Sequence, residues 1–183
     1  SSILSMQSRN IDDPKLKEVL QESQNRIHSM ALIHENLYNH KNLANIMFST
    51  YIKSLTGNIA RTYSNQQANI HFDYQIDDAY LPMDFAIPCG LIINELISNS
   101  FKYAFANRNE GIISIHFEKN SDDVFILTVA DNGVGIPSDV NILKTKSLGM
   151  KILHRLVQQI DGELTSDFSN GTKFIIQFKS TNK

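Results

Sequence analysis

Apolar residues in the first forty positions recur at helical steps. Leu16, Val19, Leu20, Ile27, Met30, Ile33 and Leu37 fall three, four or seven apart, and Lys15, Lys17, Glu18, Glu22 and Asn25 lie mostly off that stripe. The spacing predicts one long helix over residues 15–39. Asp13 stands where a cap belongs, and Pro14 occupies the first turn, where a missing N–H costs nothing. Ahead of it, Ile3, Leu4 and Met6 sit in a helical fragment (residues 1–7), followed by a turn at 10–14. A lone helix this long leaves its stripe uncovered. It should pair with the preceding fragment or with a second copy of the chain, as a hairpin or bundle.

Beyond His40-Lys41-Asn42 the pattern changes. Residues 43–48 read as a short strand, and Ser49 as the cap of a helix over 50–63 whose inner face holds Ile52, Leu55, Ile59 and Tyr63. Strict alternation at Ile70, Phe72, Tyr74 and Ile76 predicts a half-buried strand over 69–76. Pro82 or Pro88 opens the next helix. Residues 111–118 and 124–130 read as neighbouring strands around a polar turn. A helix over 148–160 then ends at Asp161-Gly162, where glycine suits the left-handed position. Strands over 163–167 and 172–179, joined through Ser169-Asn170-Gly171, finish the chain. Residues 1–40 thus form a helical element, and residues 41–183 a mixed sheet with helices on one face, an α+β two-layer sandwich.

Composition narrows the class. At 183 residues and 42% hydrophobic content, the chain suits one domain, or one domain plus a small appendage, with a real core. No apolar run approaches a membrane span. A formal charge of −2 and a pI near 6.3 argue against a general nucleic-acid binder. Cys89 is the single cysteine, so no disulfide forms within the chain, and a reducing compartment, the cytoplasm, is expected. Its neighbours Ile87, Leu91 and Ile92 suggest a buried structural thiol.

Two segments carry chemistry. In Asn94-Glu95-Leu96-Ile97-Ser98-Asn99-Ser100-Phe101-Lys102-Tyr103, a continuous helix would line up Glu95, Asn99, Lys102 and Tyr103 on one face. Asp131-Asn132-Gly133-Val134-Gly135-Ile136-Pro137 follows a strand, and its glycines let backbone approach a ligand closely. The asparagine carbonyl suits a magnesium ion shared with phosphates. Lys102 suits the phosphates, and the Asp131 carboxylate suits an exocyclic amine. Glu95 is a base, a water-orienting group, or a surface partner of Lys102. Each has a plain alternative: a surface asparagine, a β-turn with a capping aspartate, a simple cap at Ser147, a hairpin turn at Gly171-Thr172. Their combination favours a magnesium-nucleotide site.

In this order the segments resemble the catalytic, ATP-binding domain of sensor histidine kinases, within the superfamily of gyrase, mismatch-repair and heat-shock-chaperone ATPases. Residues 94–105 resemble the N-box, 131–137 the first glycine box, 147–152 a reduced second glycine box, and Gly171-Thr172 the last glycine motif. The resemblance implies a two-layer ATP-binding domain over residues 41–183 with ATP and Mg2+ as its ligands. It implies that Asn99 holds magnesium, Asp131 binds the adenine amine, and Gly133, Gly135, Leu148 and Gly149 shape the site and its lid. It further implies that Thr172 helps bind the base, Lys102 and Tyr103 line the phosphate side, and Glu95 and Lys102 serve catalysis.

Residues 1–8 and 22–38 resemble the dimerisation region of one kinase subfamily, whose acceptor histidine lies in a His-Arg-Val-Lys-Asn motif on the first helix. That motif does not occur here. The resemblance implies a partial dimerisation hairpin over residues 1–40, a homodimeric parent protein that membrane segments elsewhere could anchor, and a response-regulator receiver domain as partner. It implies a fragment that binds nucleotide without phosphorylating itself. His34-Glu35 imitates an acceptor site, but His34 falls on the apolar stripe and reads as a bundle histidine. His28, His40, His71, His116 and His154 have no partner at ligand-like spacing. Two departures stand out: Lys146-Ser147 replaces the usual first glycine of the second box, and the stretch from Pro137 to Ser147 makes a small lid. No phenylalanine-bearing second catalytic box is apparent. The alternatives are an ATPase of the same superfamily with Glu95 activating water, and a non-catalytic dimeric signalling scaffold. Steady phosphate release abolished by Glu95→Gln would mark the first, and failure to bind nucleotide the second.

Overall fold

A computed structural model of the chain describes residues 45–63, 69–105, 108–120, 123–136 and 148–180, together with isolated positions of the N-terminal segment. The helical fragment at 1–7, His34, the Ser147 cap, the Lys146-Ser147 departure and the 137–147 stretch lie outside the described residues. Of the long N-terminal helix, Leu16, Leu20, Ser23, Ile27 and Ala31 are described, and all are helical. The Leu16 N–H donates to Asp13 Oδ1 at 3.3 Å, the bond expected of an Asp13 cap. Leu16 and Ile27 of the apolar stripe are 48% and 44% exposed, so the single chain leaves these positions uncovered.

Strand β1 (Asn45–Met47) pairs antiparallel with β3 (Tyr80–Pro82), apart from the main sheet. Helix α1 (Phe48–Thr62) follows β1 without a gap. The strand expected over 43–48 is therefore shorter, and Ser49 is not the cap. The Phe48 N–H donates to Ala79 O (3.0 Å), and the Phe48 ring meets Phe117 at 4.3 Å between centroids, which draws the helix start back to Phe48. Ser49 lies inside the first turn and donates to Asp78 Oδ1 at 2.6 Å. Helix α2 (Met83–Asn99) begins directly after Pro82 and contains Pro88 in its second turn.

The main sheet has five strands: β2 (Asn69–Ile76), β4 (Glu110–Lys119), β5 (Val124–Asp131), β6 (Glu163–Asp167) and β7 (Thr172–Lys179). Their order is β2-β4-β5-β7-β6. Only β2 and β4 run parallel; the other pairs are antiparallel. The period-two pattern predicted for each strand puts Ile113, Ile115, Phe117, Phe125, Leu127, Val129, Phe174, Ile176 and Phe178 on one face, all buried. Against that face pack α1, α2 and helix α3 (Leu148–Gln159). A row of rings, Phe117 on Phe125 and Phe125 on Phe178, each 5.5 Å apart, crosses the sheet, and Phe85 of α2 stacks on its end. This is the mixed sheet with helices on one face that the pattern implies.

α3 closes differently from expectation. Asp161, not Gly162, takes the left-handed conformation, at φ 49°. The Asp161 N–H bonds Gln158 O (3.1 Å) and the Gly162 N–H bonds Val157 O (2.9 Å), the paired closure of a Schellman motif. Glycine suits the next position, where a Cβ at 162 would stand a tight 3.2 Å from Gln177 O. Cys89 is fully buried, and burial pushes its thiol well above the ordinary range, consistent with an inert structural residue. Among the described residues, no helix is long and apolar enough to cross a membrane.

Candidate functional site

Asp131 is the last residue of β5, where alternation turns its side chain inward; it is 6% exposed. An acid so placed needs donors. Its Oδ1 accepts the Gly133 N–H at 2.9 Å and the Thr172 N–H at 3.3 Å. Its Oδ2 accepts the Ser100 hydroxyl at 2.8 Å. A carboxylate has four lone-pair positions, so three donors leave one, on Oδ2.

Those donors come from three separate segments of the chain. Thr172 reaches Asp131 because the two are register partners in the β5–β7 pair. Gly171 precedes it at φ 85°, and a Cβ there would lie 2.0 Å from Asp131 O, so only glycine permits this approach. Gly133 has ordinary φ but is equally constrained: a Cβ would meet Ala104 O and Ala104 Cβ, both at 2.4 Å. Gly135 (φ 69°) lies against the Gly171 carbonyl. The first and last glycine motifs therefore touch backbone to backbone.

The end of α2 departs from expectation. Instead of one α-helical face carrying Glu95, Asn99, Lys102 and Tyr103, the helix widens after Asn99 into a π-helical turn, Ser100–Ala104. Both ends of the turn are tied to the β5 loop, Ser100 through Asp131 and Ala104 through its carbonyl, which accepts the Val134 N–H at 2.9 Å. The wider turn separates the register of Lys102 and Tyr103 from that of Glu95 and Asn99. Glu95 is buried rather than at the helix surface; Asn99 and Lys102 are half-buried, and Tyr103 is 58% exposed. The Phe101 ring stacks on Tyr63 at 5.0 Å, joining the turn to the end of α1. Leu148, exposed, and Gly149, half-buried, begin α3, which packs against α2.

Two residues of this cluster escaped the sequence reading. Ser100 was assigned no role, although a serine in a buried helix is itself a signal, because alanine suits that position better. Asn132 looked like turn composition. Its Oδ1 accepts the Ile112 N–H at 2.8 Å, while Arg108 Nη1 donates to its carbonyl at 2.6 Å, extending the β4–β5 ladder beneath the glycine loop. Among the described residues, no group of three or more His, Cys, Asp or Glu side chains is gathered to hold a metal.

A family model described as "Histidine kinase-, DNA gyrase B-, and HSP90-like ATPase" matches residues 86–182, and one described as "Histidine kinase" matches residues 1–63. The chain belongs to the family of histidine kinase-, DNA gyrase B- and HSP90-like ATPases, and within it to the sensor histidine kinases. The site is thus part of an ATP-binding domain, in a chain of the two-component signalling class. Blue-light-activated histidine kinase 2 of Erythrobacter litoralis is 32% identical over 95 residues, 52% of this chain and 28% of that protein. The sensor histidine kinase PdtaS of Mycobacterium tuberculosis is 28% identical over 170 residues, 90% of this chain and 32% of that protein. The chain thus spans about a third or less of these curated relatives. The solved histidine kinase domain of Erythrobacter litoralis EL346 superposes with a TM-score of 0.73 at 23% identity, covering 96% of this chain and 92% of that one, a likeness of fold.

Proposed function

We propose that this chain is the part of a sensor histidine kinase that binds Mg-ATP and delivers its γ-phosphoryl group to a histidine outside these residues. From there the group passes to an aspartate of a response-regulator receiver domain. The observation that carries this reading is the Asp131 carboxylate, satisfied by three donors and left with one acceptor position on Oδ2. Three glycines where a Cβ would strike backbone or be strained give the base a close approach. This donor and acceptor set fits an adenine nucleotide.

In this reading Asp131 accepts the adenine amine, and Thr172 lines the base edge beside it. Gly133 and Gly135 keep the loop flat against the ligand, and Leu148 and Gly149 form its far wall at the start of α3. Lys102 and Tyr103, carried by the π-helical turn, line the phosphate side. Asn99 presents a hard oxygen to magnesium, which when bound would neutralise phosphate charge. Glu95, one turn earlier and buried, orients the Asn99 end of the helix and any proton acceptor there. Phosphoryl transfer needs positioning and charge stabilisation above all, and these are what a rigid helix end supplies.

We assign residues 1–40 to dimerisation helices and 41–183 to the catalytic domain. β1 and α1 support a boundary near residue 41, since Ile46, Phe48, Ile52 and Leu55 lie in the same core as the sheet. The uncovered Leu16 and Ile27 support a homodimeric parent. A site that draws on the cellular ATP pool belongs in the cytoplasm.

Titration calorimetry with ATP, with and without Mg2+, tests the assignment through Asn99→Ala. Asn99 is half-buried, so the substitution should leave the unfolding midpoint within a few degrees. Affinity in Mg2+ should fall about tenfold or more, the equivalent of one lost ion ligand, and affinity in EDTA should barely change. Equal losses with and without the ion would remove Asn99 from the metal's coordination.

A further inference from the structure

We propose that Ser100 is the positioning residue that fixes base selectivity, holding Asp131 so that the site accepts a 6-amino purine and refuses a 6-oxo purine. The inference rests on the reading of Asp131 as the base-binding acid and extends it to a residue that touches no ligand.

Ser100 is the one side-chain donor among the three that bond Asp131; the other two are main-chain N–H groups that every residue except proline would keep. It is 6% exposed, so its hydroxyl must find a partner inside the protein. Two acceptors lie within reach. Leu96 O, the ordinary self-satisfying partner one helical turn back, is at 3.2 Å, and Asp131 Oδ2 is at 2.8 Å. A hydroxyl has one proton, and the shorter, charge-assisted bond takes it. The wide turn that begins at Ser100 is anchored at its other end by the Val134–Ala104 bond. The hydroxyl is therefore held by two tethers on the same loop as the acid.

The consequence is directional. With Oδ1 filled by Gly133 and Thr172 and half of Oδ2 filled by Ser100, one acceptor position faces the base. An exocyclic N–H meets it. A carbonyl oxygen at the same ring position would set lone pairs against lone pairs, with the three donors on Asp131 already engaged with the carboxylate. A site built around one polar contact discriminates strongly against an analogue that lacks it. Removing the Ser100 hydroxyl opens a second position on Oδ2, admits water, and loosens that choice.

The test is titration calorimetry of wild type, Ser100→Ala and Ser100→Thr with Mg-ATP and Mg-ITP, which differ in the group at position 6. Wild type should prefer ATP by about a hundredfold or more. Ser100→Ala should lose about tenfold in ATP affinity with ITP little changed, so the ratio narrows about tenfold; Ser100→Thr, which keeps the hydroxyl, should recover it. A role in packing alone would weaken both nucleotides together and leave the ratio fixed. Circular dichroism checks each variant, and if the alanine form does not fold, Ser100→Cys, with similar volume and a weak donor, takes its place. Should wild type discriminate and the hydroxyl-free variant keep its ratio within twofold, Ser100 has no part in selectivity while Asp131 keeps its role. Should wild type bind neither nucleotide, the ATP reading falls and this inference with it.

Discussion

Asp131→Asn should abolish measurable ATP binding while leaving the fold intact. The asparagine can place its oxygen where Oδ1 stands, keeping the Gly133 and Thr172 bonds. Its nitrogen then occupies the Oδ2 position. Ser100 can turn its hydroxyl to accept from that nitrogen, so the interior remains satisfied. The adenine amine, however, now meets a donor instead of an acceptor. Losing a hydrogen bond to a charged group costs about 1.5–3 kcal/mol, and an opposed buried donor adds about 1–3 kcal/mol. Together these correspond to a loss of at least about a hundredfold in affinity. Calorimetry reads the affinity, and a thermal melt within a few degrees of wild type shows that the loss is local. Unchanged affinity would mean the base sits elsewhere.

Gly171→Ala should be the most damaging single methyl in the described sheet. Two effects coincide there. At φ 85° an alanine is strained by about 1–2 kcal/mol, and its Cβ would lie 2.0 Å from Asp131 O, closer than any real contact. The clash is with main chain, so relief requires shifting the Asp131–Thr172 pairing, at about 1–3 kcal/mol for overpacking. A total near 3 kcal/mol lowers the unfolding temperature by roughly 6–12 °C for a domain of this size. ATP affinity should fall too, because Thr172 N–H moves off Oδ1. Scanning calorimetry with a parallel binding titration measures both. A variant as stable as wild type would show that the β6–β7 turn relaxes without disturbing Asp131.

Much of the architecture was legible in the order of apolar residues. Alternation at Ile70, Phe72, Tyr74 and Ile76 marked β2 to the residue, and the last two strands were equally clear, because a half-buried strand writes its period directly into sequence. β3 was missed. Tyr80–Pro82 is too short for a period, and it is fixed by pairing with β1, a contact no local pattern announces. The Ser49 cap failed for a related reason: burial of Phe48 against Phe117 outweighed a side-chain capping preference. Within the candidate site, Asp131, Gly133, Gly135, Gly171 and Thr172 were nameable from turn chemistry, and the structure brings them within contact of one another. The π-helical turn was not, since Ser100–Ala104 reads as ordinary helix until its two bonds to a loop thirty residues away are known. Sequence periodicity carries local geometry well; it carries long-range tethers poorly.

The parallel pairing of β2 with β4 has a kinetic consequence. Every other junction in the sheet is antiparallel, whereas β2 must wait for a crossover through β3, α2 and the turn after Asn99 before Asn69 can meet Glu110. Closing that excursion precedes any reward from the pairing. Refolding followed by pulsed hydrogen exchange should show the β4-β5-β7 amides protected first and those of β2 last. The candidate site, which draws on β5, β7 and the crossover itself, would then assemble only as that final strand docks.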